Sequence, residues 1–188
     1  MMSLAKPTLL VVDVQKAWDD PGQGERNNNP SAERNVARLL EAWRAVDAPI
    51  IHVRHRETDP DWPMFHEDDP RFAFKEEAEP RDGEPVLTKE VNSAFIGTDL
   101  EERLHAAGAT TLVIAAFTTD HCGSTTARMS GNLGFETWFV GDAASTYDRE
   151  GPDGEVFPAD LIHRTALASL QDEFADVITT DEAIARLA

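Results

Sequence analysis

The chain has 188 residues, of which 41% are apolar and 28% are charged, a length and composition typical of one globular domain. Its net charge of −18 would repel a polyanion over most of the surface, so nucleic-acid binding is disfavoured. No apolar run approaches the roughly 20 residues of a membrane-spanning helix, and we expect no membrane partner. The single cysteine cannot form an intramolecular disulfide, which favours a reducing cytoplasm.

Apolar segments of strand length alternate with helical patterns along the chain. Residues 8–14 (TLLVVDV) form a nearly continuous apolar run, which is typical of a strand buried on both faces. The other predicted strands are 48–55, 85–89, 110–117, 136–142 and 175–180. The predicted helices are 31–46, 98–108, 120–134 and 158–171. This alternation predicts a single Rossmann-like domain over 1–188, a three-layer α/β/α arrangement around a mainly parallel central sheet.

Residues 56–84 interrupt the alternation. An insertion of about 30 residues without regular structure is uncommon in a compact domain unless it is a lid, a binding loop or disordered. The segment is acidic, but it also holds five large apolar side chains, which a purely disordered linker rarely carries. They are Trp62, Met64, Phe65, Phe72 and Phe74. We therefore expect the segment to pack as a lid over the functional site or as an interface with a neighbouring subunit.

Three polar residues, Asp13, Lys89 and Cys122, lie at or just beyond the ends of predicted strands. In parallel sheets the ligand crevice lies outside the carboxyl ends of the strands. If Thr119 or Asp120 caps the next helix, Cys122 lies in its first turn, where free N–H groups and the helix dipole would lower the thiol pKa. A free cysteine is also among the most buried residue types, so apolar packing is the alternative interpretation.

Asp13 and Lys89 each have an ordinary alternative role. A carboxylate inside an apolar run is costly unless it is paired or lies at an open strand end, but it can also cap a loop. Lys89 is one of four lysines, and the other three, Lys6, Lys16 and Lys75, lie in segments that we predict to be exposed. An isolated lysine is usually solvated. Convergence of all three polar residues on one crevice favours a shared functional site.

Three segments carry recognisable motifs in order: LLVVDVQKAW, LTKEVNSAFIGTDLEERL and FTTDHCGSTTARMSGNLGFETWFVGDA. They contain D-x-Q, then K-x-x-x-S-A-F, then T-D-x-C-x-x-x-T-A. In these motifs and their spacing the chain resembles the isochorismatase-like cysteine hydrolases, a group that also includes nicotinamidases. The similarity runs over most of the chain and implies the isochorismatase-like hydrolase fold.

The resemblance also implies a catalytic site. Asp13, Lys89 and Cys122 would form a triad in which the carboxylate accepts the thiol proton and the ammonium stabilises the thiolate. A cis peptide bond is implied between Phe117 and Thr118. The backbone N–H groups of Thr118 and Cys122 would form the oxyanion hole, and the implied reaction proceeds through a thioester.

The chain departs from the family motifs around the expected pocket. Lys16 and Trp18 replace the Asn and Phe of the usual D-x-Q-N-x-F pattern, so we expect Trp18 to wall a smaller or reshaped cavity. Gly123 stands where the family often has Val, which would open space beside the nucleophile. The candidate substrate-binding residues are Trp18, His55, Phe95, Phe117 and His121. Core packing is the alternative for Phe95, and a structural role is the alternative for His55 and His121.

The metal-binding motif of nicotinamidases is missing. His52 and His55 are three residues apart, so on a strand their side chains point to opposite faces and cannot ligate one ion. We therefore expect no metal and no other cofactor, and nicotinamidase activity is disfavoured.

The sequence predicts a cysteine hydrolase that cleaves the C–N bond of a small amide or ureido compound. The alternatives are a vinyl-ether hydrolase of the isochorismatase type, in which an Asp acts as acid, and a non-catalytic small-molecule-binding member of the fold. A thiol redox sensor is a further alternative that gives Lys89 no role. The resemblance implies a homodimer or homotetramer.

Overall fold

The computed structural model describes residues 6–19 and 29–187. Within this part of the chain, the centre is a six-stranded sheet in which every neighbouring pair is parallel. Its strands are β1 (Thr8–Val12), β2 (Ile50–His55), β3 (Val86–Lys89), β4 (Thr111–Ala116), β5 (Glu136–Val140) and β8 (Asp176–Ile178). They lie side by side in the order β3-β2-β1-β4-β5-β8. A short antiparallel pair, β6 (Arg149–Glu150) and β7 (Val156–Phe157), stands apart from this sheet.

In the described part of the chain, five α-helices cover the sheet on both faces: α1 (Ala32–Ala45), α2 (Leu100–Ala106), α3 (Ser124–Asn132), α4 (Ala159–Leu170) and α5 (Thr180–Leu187). Leu9 and Val11 pack in one core with α1 and α5, whereas Leu10 and Val12 pack in the other with α2, α3 and α4. Because alternate side chains of a strand point to opposite faces and both faces are covered, all four residues from Leu9 to Val12 are apolar. The predicted three-layer α/β/α fold is confirmed. No helix within the described residues is both long and apolar enough to cross a bilayer.

Strand β1 ends earlier than predicted, at Val12, because the chain turns at Asp13. Asp13 has a φ of 57°, in the left-handed region that aspartate tolerates better than most residues with a side chain. Its N–H still donates to the carbonyl of Val53, at 2.8 Å, so the carboxylate is fixed at the end of the sheet. Strained backbone of this kind is concentrated at functional sites.

The 56–84 segment packs on its own domain through three short 3₁₀ turns: Pro63–Phe65, Pro70–Phe72 and Glu76–Ala78. Of its five large apolar side chains, only Trp62 is exposed, at 43%. The Gln15 amide holds the segment in place by donating to the carbonyls of Phe72, at 2.9 Å, and His55, at 3.1 Å.

The expectation that Lys75 is exposed is wrong. Its side chain is buried and pairs with Asp19 and, at 3.4 Å, with Glu33. A lysine is buried only rarely unless it is paired, and these two carboxylates supply the pairing.

Candidate active site

Asp13, Lys89 and Cys122 meet at the carboxyl edge of the sheet. The Lys89 Nζ lies 2.5 Å from Asp13 Oδ2 and 3.4 Å from Cys122 Sγ. The exposed fractions are 0% for Asp13, 1% for Lys89 and 7% for Cys122. A carboxylate, an ammonium and a thiol are therefore held in direct contact and almost out of water.

The strand order explains how residues distant in sequence come together. Asp13 follows β1, Lys89 ends β3 and Cys122 follows β4, and all three strands present their carboxyl ends at one edge. Strand β2 lies between β3 and β1, and strands two apart are separated by roughly 10 Å. Only a long side chain spans that gap, which explains why the cation at the end of β3 is a lysine.

The thiol of Cys122 is protonated in the resting site. Burial raises the pKa of Cys122 well above its ordinary value, and the negative charge of Asp13 raises it further, whereas Lys89 opposes both effects. The sequence-based expectation of a lowered thiol pKa is therefore wrong for the resting site. Burial alone would lower the pKa of Lys89, but attraction to Asp13 and Cys122 outweighs it and raises that pKa. Lys89 is therefore a permanent cation.

The backbone around Cys122 differs from an ordinary helix start. Residues Thr119–Gly123 form a π-helical turn before α3, and the N–H of Gly123 donates to the carbonyl of Thr118 at 2.9 Å. Turns of this type are frequent at functional sites. The peptide bond between Phe117 and Thr118 is cis.

Gly123 does not open space beside the nucleophile. A Cβ atom at this position would lie 3.1 Å from Phe139 Cζ, 3.1 Å from the carbonyl oxygen of Thr118 and 3.2 Å from Ala116 Cβ. These distances are tighter than ordinary van der Waals contact. The glycine instead lets the π-helical turn approach the sheet closely, so the expectation of extra room is wrong.

A cavity of about 180 Å³ opens onto Cys122. This is below the roughly 300–1,000 Å³ of sites for drug-sized ligands, so it suits a small molecule. Its lining residues are Trp18, His55, Glu57, Trp62, Phe65, Asn92, His121 and Cys122. The 56–84 segment therefore forms part of the wall of its own site.

Two candidate substrate-binding residues lie elsewhere. Phe95 is buried in the core on the α2 side, where its ring stacks with that of Phe135 at 6.2 Å between centroids. Phe117 is fully buried in the core on the opposite face of the sheet. Neither side chain is among the cavity-lining residues, because both pack against apolar side chains of the two cores. For these two residues, the expectation of substrate contact is wrong.

Trp18, His55 and His121 do line the cavity. Trp18 Nε1 donates to the carbonyl of Asp13 at 2.6 Å, and its ring packs edge-on against Phe65 at 5.0 Å between centroids. His55 Nδ1 lies 3.2 Å from Lys89 Nζ. Because an ammonium can only donate, Nδ1 accepts and the ring proton is on Nε2.

The two histidines of β2 have separate partners. His52 Nε2 lies 2.8 Å from Glu84 Oε2 in the interior, whereas His55 faces Lys89 at the strand end. Among the described residues, no group of three or more His, Cys, Asp or Glu side chains is arranged to hold a metal ion.

Glu57 and Asn92 line the cavity but were not identified from the sequence. Asn92 lies inside the K-x-x-x-S-A-F motif, directly before its serine, and this position was the sequence feature that pointed to the site. Glu57 follows His55 by two residues at the start of the insertion. Acidic residues are common in that segment, and nothing local distinguishes this one.

Comparison with known proteins identifies the family of the chain. Residues 7–182 match the model of the isochorismatase domain. The chain is 46% identical to the isochorismatase family protein YrdC of Bacillus subtilis, over 95% of both sequences. It is 28% identical to the maleamate amidohydrolase of Pseudomonas putida, over 97% of this chain and 87% of that protein.

A solved structure gives the same result. A hydrolase of the isochorismatase family from Chromobacterium violaceum superimposes with a TM-score of 0.93 at 43% identity, covering 99% of this chain and 95% of that one. The resemblance noted in the sequence motifs is confirmed over nearly the whole chain. The protein therefore belongs to the isochorismatase family of hydrolases.

Proposed function

We propose that the protein is a cysteine hydrolase that cleaves the C–N bond of a small amide or ureido compound through a thioester. The observation that carries this proposal is the contact of one ammonium, Lys89 Nζ, with both the Asp13 carboxylate and the Cys122 sulfur. If Cys122 were buried only for packing, no ion pair would be needed beside it, and burying an ion pair is costly.

Acylation begins from the neutral thiol. Asp13 accepts the proton of Cys122 as the sulfur attacks the carbonyl carbon, and the positive charge of Lys89 stabilises the developing thiolate. The S–C bond forms and the carbonyl π electrons move to oxygen. When the tetrahedral intermediate collapses, the C–N bond breaks and Asp13 returns the proton to the leaving nitrogen. Water then attacks the thioester, giving the acid and the free thiol.

The negative oxygen of the tetrahedral intermediate needs fixed donors. We assign this role to the backbone N–H groups of Thr118, which directly precedes the π-helical turn, and of Cys122, which lies within it. Backbone donors of an oxyanion hole are typically worth about 10²–10³-fold in rate each. The amide of Gly123 is already used, because it donates to the carbonyl of Thr118.

The amide class is supported by the named activity of a relative, maleamate amidohydrolase. Vinyl-ether hydrolysis by acid catalysis requires Asp13 but gives the buried thiol no role, so the Cys122 contact with Lys89 favours the amide reaction. We propose that this site acts in a homodimer or homotetramer, without a cofactor.

The test is turnover of a panel of small amides by the wild type and by Cys122→Ala. The panel contains nicotinamide, ureido acids, biuret-like compounds and aryl amides. We expect the wild type to release ammonia or amine from at least one compound and the variant to show none, with an unchanged melting temperature. Rapid acid quenching and mass spectrometry should detect an acyl group on Cys122. Full activity in Cys122→Ala would overturn the proposal and support acid catalysis.

A further inference from the structure

Glu57 supplies the charge of the cavity. Arg56, its chain neighbour, is directed to Glu67, at 2.9 Å, and to Glu90. Arg149 donates to Asp120 at 2.9 Å. Lys89 is balanced by Asp13. Among the described residues that line the cavity, Glu57 is the one acidic side chain, and none is a lysine or an arginine. The lining also includes two histidines, His55 and His121.

His55 and His121 do not neutralise the negative charge of Glu57. Burial lowers the pKa of His55, and Lys89 lowers it further, against smaller opposing effects of Asp13 and Glu57. Burial also lowers the pKa of His121, as does Arg149, against the opposing effect of Asp120. Both imidazoles are therefore neutral at neutral pH.

Glu57 is held in a fixed position. Its Oε1 accepts the N–H groups of Thr58, at 2.8 Å, and Asp59, at 3.2 Å, and its Oε2 lies 3.8 Å from His55 Nε2. Because these two N–H groups hold Oε1 of Glu57, its Oε2 has a defined position in the cavity. The remaining wall includes the rings of Trp18, Trp62 and Phe65, whose faces favour a cation and offer nothing to an anion.

We infer that Glu57 sets the specificity of the site against anionic substrates, so that the compounds cleaved are neutral or cationic amides without a carboxylate. This inference rests on the proposed function and narrows its substrate class. It separates the protein from its relative named for maleamate, which is itself a carboxylate. A second carboxylate placed in this small cavity beside Glu57 would meet the repulsion of a like charge, reduced but not abolished by the one-third exposure of the Glu57 side chain.

The single cysteine allows a test that does not require the natural substrate. Iodoacetamide and iodoacetate have nearly the same size and react with the same thiol, but only iodoacetate is charged. The rate ratio of the two reagents at Cys122 is measured by mass spectrometry at one fixed pH. The same chain unfolded in urea provides the reference ratio, since it carries no other cysteine.

We expect the folded protein to favour iodoacetamide over iodoacetate at least about tenfold more than the unfolded chain does. Glu57→Gln keeps an oxygen for the N–H groups of Thr58 and Asp59 but removes the charge, and should bring the ratio close to the reference. Glu102→Gln, on the exposed face of α2, removes one charge from a residue that does not line the cavity and should leave the ratio unchanged. A folded ratio equal to the reference, or equal effects of both variants, would overturn the inference.

A turnover series separates this inference from the proposed function. Butanamide, 4-aminobutanamide and succinamate are similar in length and are neutral, cationic and anionic. We expect kcat/KM for succinamate to be the lowest of the three and to rise about tenfold in Glu57→Gln. Preferred cleavage of succinamate by the wild type would refute the charge selection and leave the hydrolase intact. Failure of Cys122 to react with either iodo reagent, together with no turnover, would remove both.

Discussion

Two ionic clusters lie at opposite ends of the strands, a partly buried one around Glu84 and a fully buried one around Asp13, and they differ in how their carboxylates are satisfied. At the edge where β3 begins, Glu84 accepts hydrogen bonds from Arg44 Nε and Nη2, at 2.7 and 2.8 Å, and from the Arg81 N–H, at 2.9 Å. It also lies 2.8 Å from His52 Nε2. At the carboxyl edge, Asp13 has the Lys89 ammonium at 2.5 Å and interacts with the Cys122 thiol, and within the described residues its oxygens have no further hydrogen-bond partner.

The difference separates a structural carboxylate from a reactive one. Burial would raise the pKa of Glu84, but the hydrogen bonds from Arg44, Arg81 and His52 outweigh it and lower that pKa to about 2. Such a carboxylate holds its charge and cannot take up a proton near neutral pH. Asp13 retains unused acceptor capacity beside a thiol, which is what a general base requires.

The largest effect should come from Asp13→Asn, which removes the proton acceptor while leaving a side chain of the same shape. We expect kcat/KM to fall by at least about 10³-fold, the upper range for loss of a general base. Alkylation of Cys122 by iodoacetamide should instead become easier in this variant. Because the charge of Asp13 raises the thiol pKa, its loss beside Lys89 should shift the pH midpoint of iodoacetamide labelling downward. An unchanged or higher midpoint would contradict this account of the resting thiol.

Lys89→Met should lower both activity and stability. It leaves the Asp13 carboxylate buried without a counter-charge, a loss that typically costs about 3–5 kcal/mol of unfolding free energy. The double variant Asp13→Asn/Lys89→Met removes both charges and should recover part of that stability without recovering activity. Urea unfolding of the two single variants and the double variant measures the coupling. Additive losses would show that the two groups do not act as a buried pair.

Glu84→Gln should reduce stability by about 2 kcal/mol, because charge-assisted hydrogen bonds to Arg44 are lost, with no change in kcat. The wild-type advantage should also depend on pH. Since folding lowers the Glu84 pKa from 4.5 to about 2, the advantage is complete above the unfolded value and disappears as pH falls toward about 2.

Glu90→Gln is the matched control for this variant, because Glu90 is exposed and pairs with Arg56 at the surface. We expect a loss of less than about 1 kcal/mol for it. Urea unfolding between acid and neutral pH compares the two variants. Equal losses would contradict the special role of the Glu84 cluster.

The smallest effect should come from Trp62→Ala. This half-exposed ring is part of the cavity wall and belongs to the 56–84 segment, not to the triad. We expect KM to rise about threefold to tenfold with kcat nearly constant, because a peripheral apolar contact contributes about 1 kcal/mol to binding. Steady-state kinetics on the best amide measures this. A large loss of kcat would mean that the segment organises the chemistry as well as the pocket.

The sequence predicted most elements because their periodicities are strong. Buried parallel strands such as β1 and β4 must be apolar on both faces, and the amphipathic α1 carries its apolar residues at helical spacing. The C-terminal α5 was not predicted, since its eight residues offer little more than two turns of pattern. The two-residue strands β6 and β7 were not predicted for the same reason.

Within the site, the motifs indicated Asp13, Lys89 and Cys122, but not how their charges influence one another. A helix-start position suggested a lowered thiol pKa, whereas the burial of Cys122 raises it. Phe95, on the family resemblance, and Phe117 were candidates for the pocket, although both side chains pack into the core. The role of Gly123 could not be inferred either, because it depends on the approach of Phe139 from β5.

The sequence by itself determined the layered fold, the family and the three polar residues at the strand ends, because apolar periodicity and local motifs are properties of the chain. Only the tertiary structure decided which side chains form the wall of the cavity and which sign of charge faces a ligand. It also decided which carboxylate has its hydrogen bonds made. Those properties depend on distances between segments far apart in sequence. Burial also changes the pKa of each ionisable group and the energy of its interactions, and both depend on neighbours that no local sequence pattern specifies.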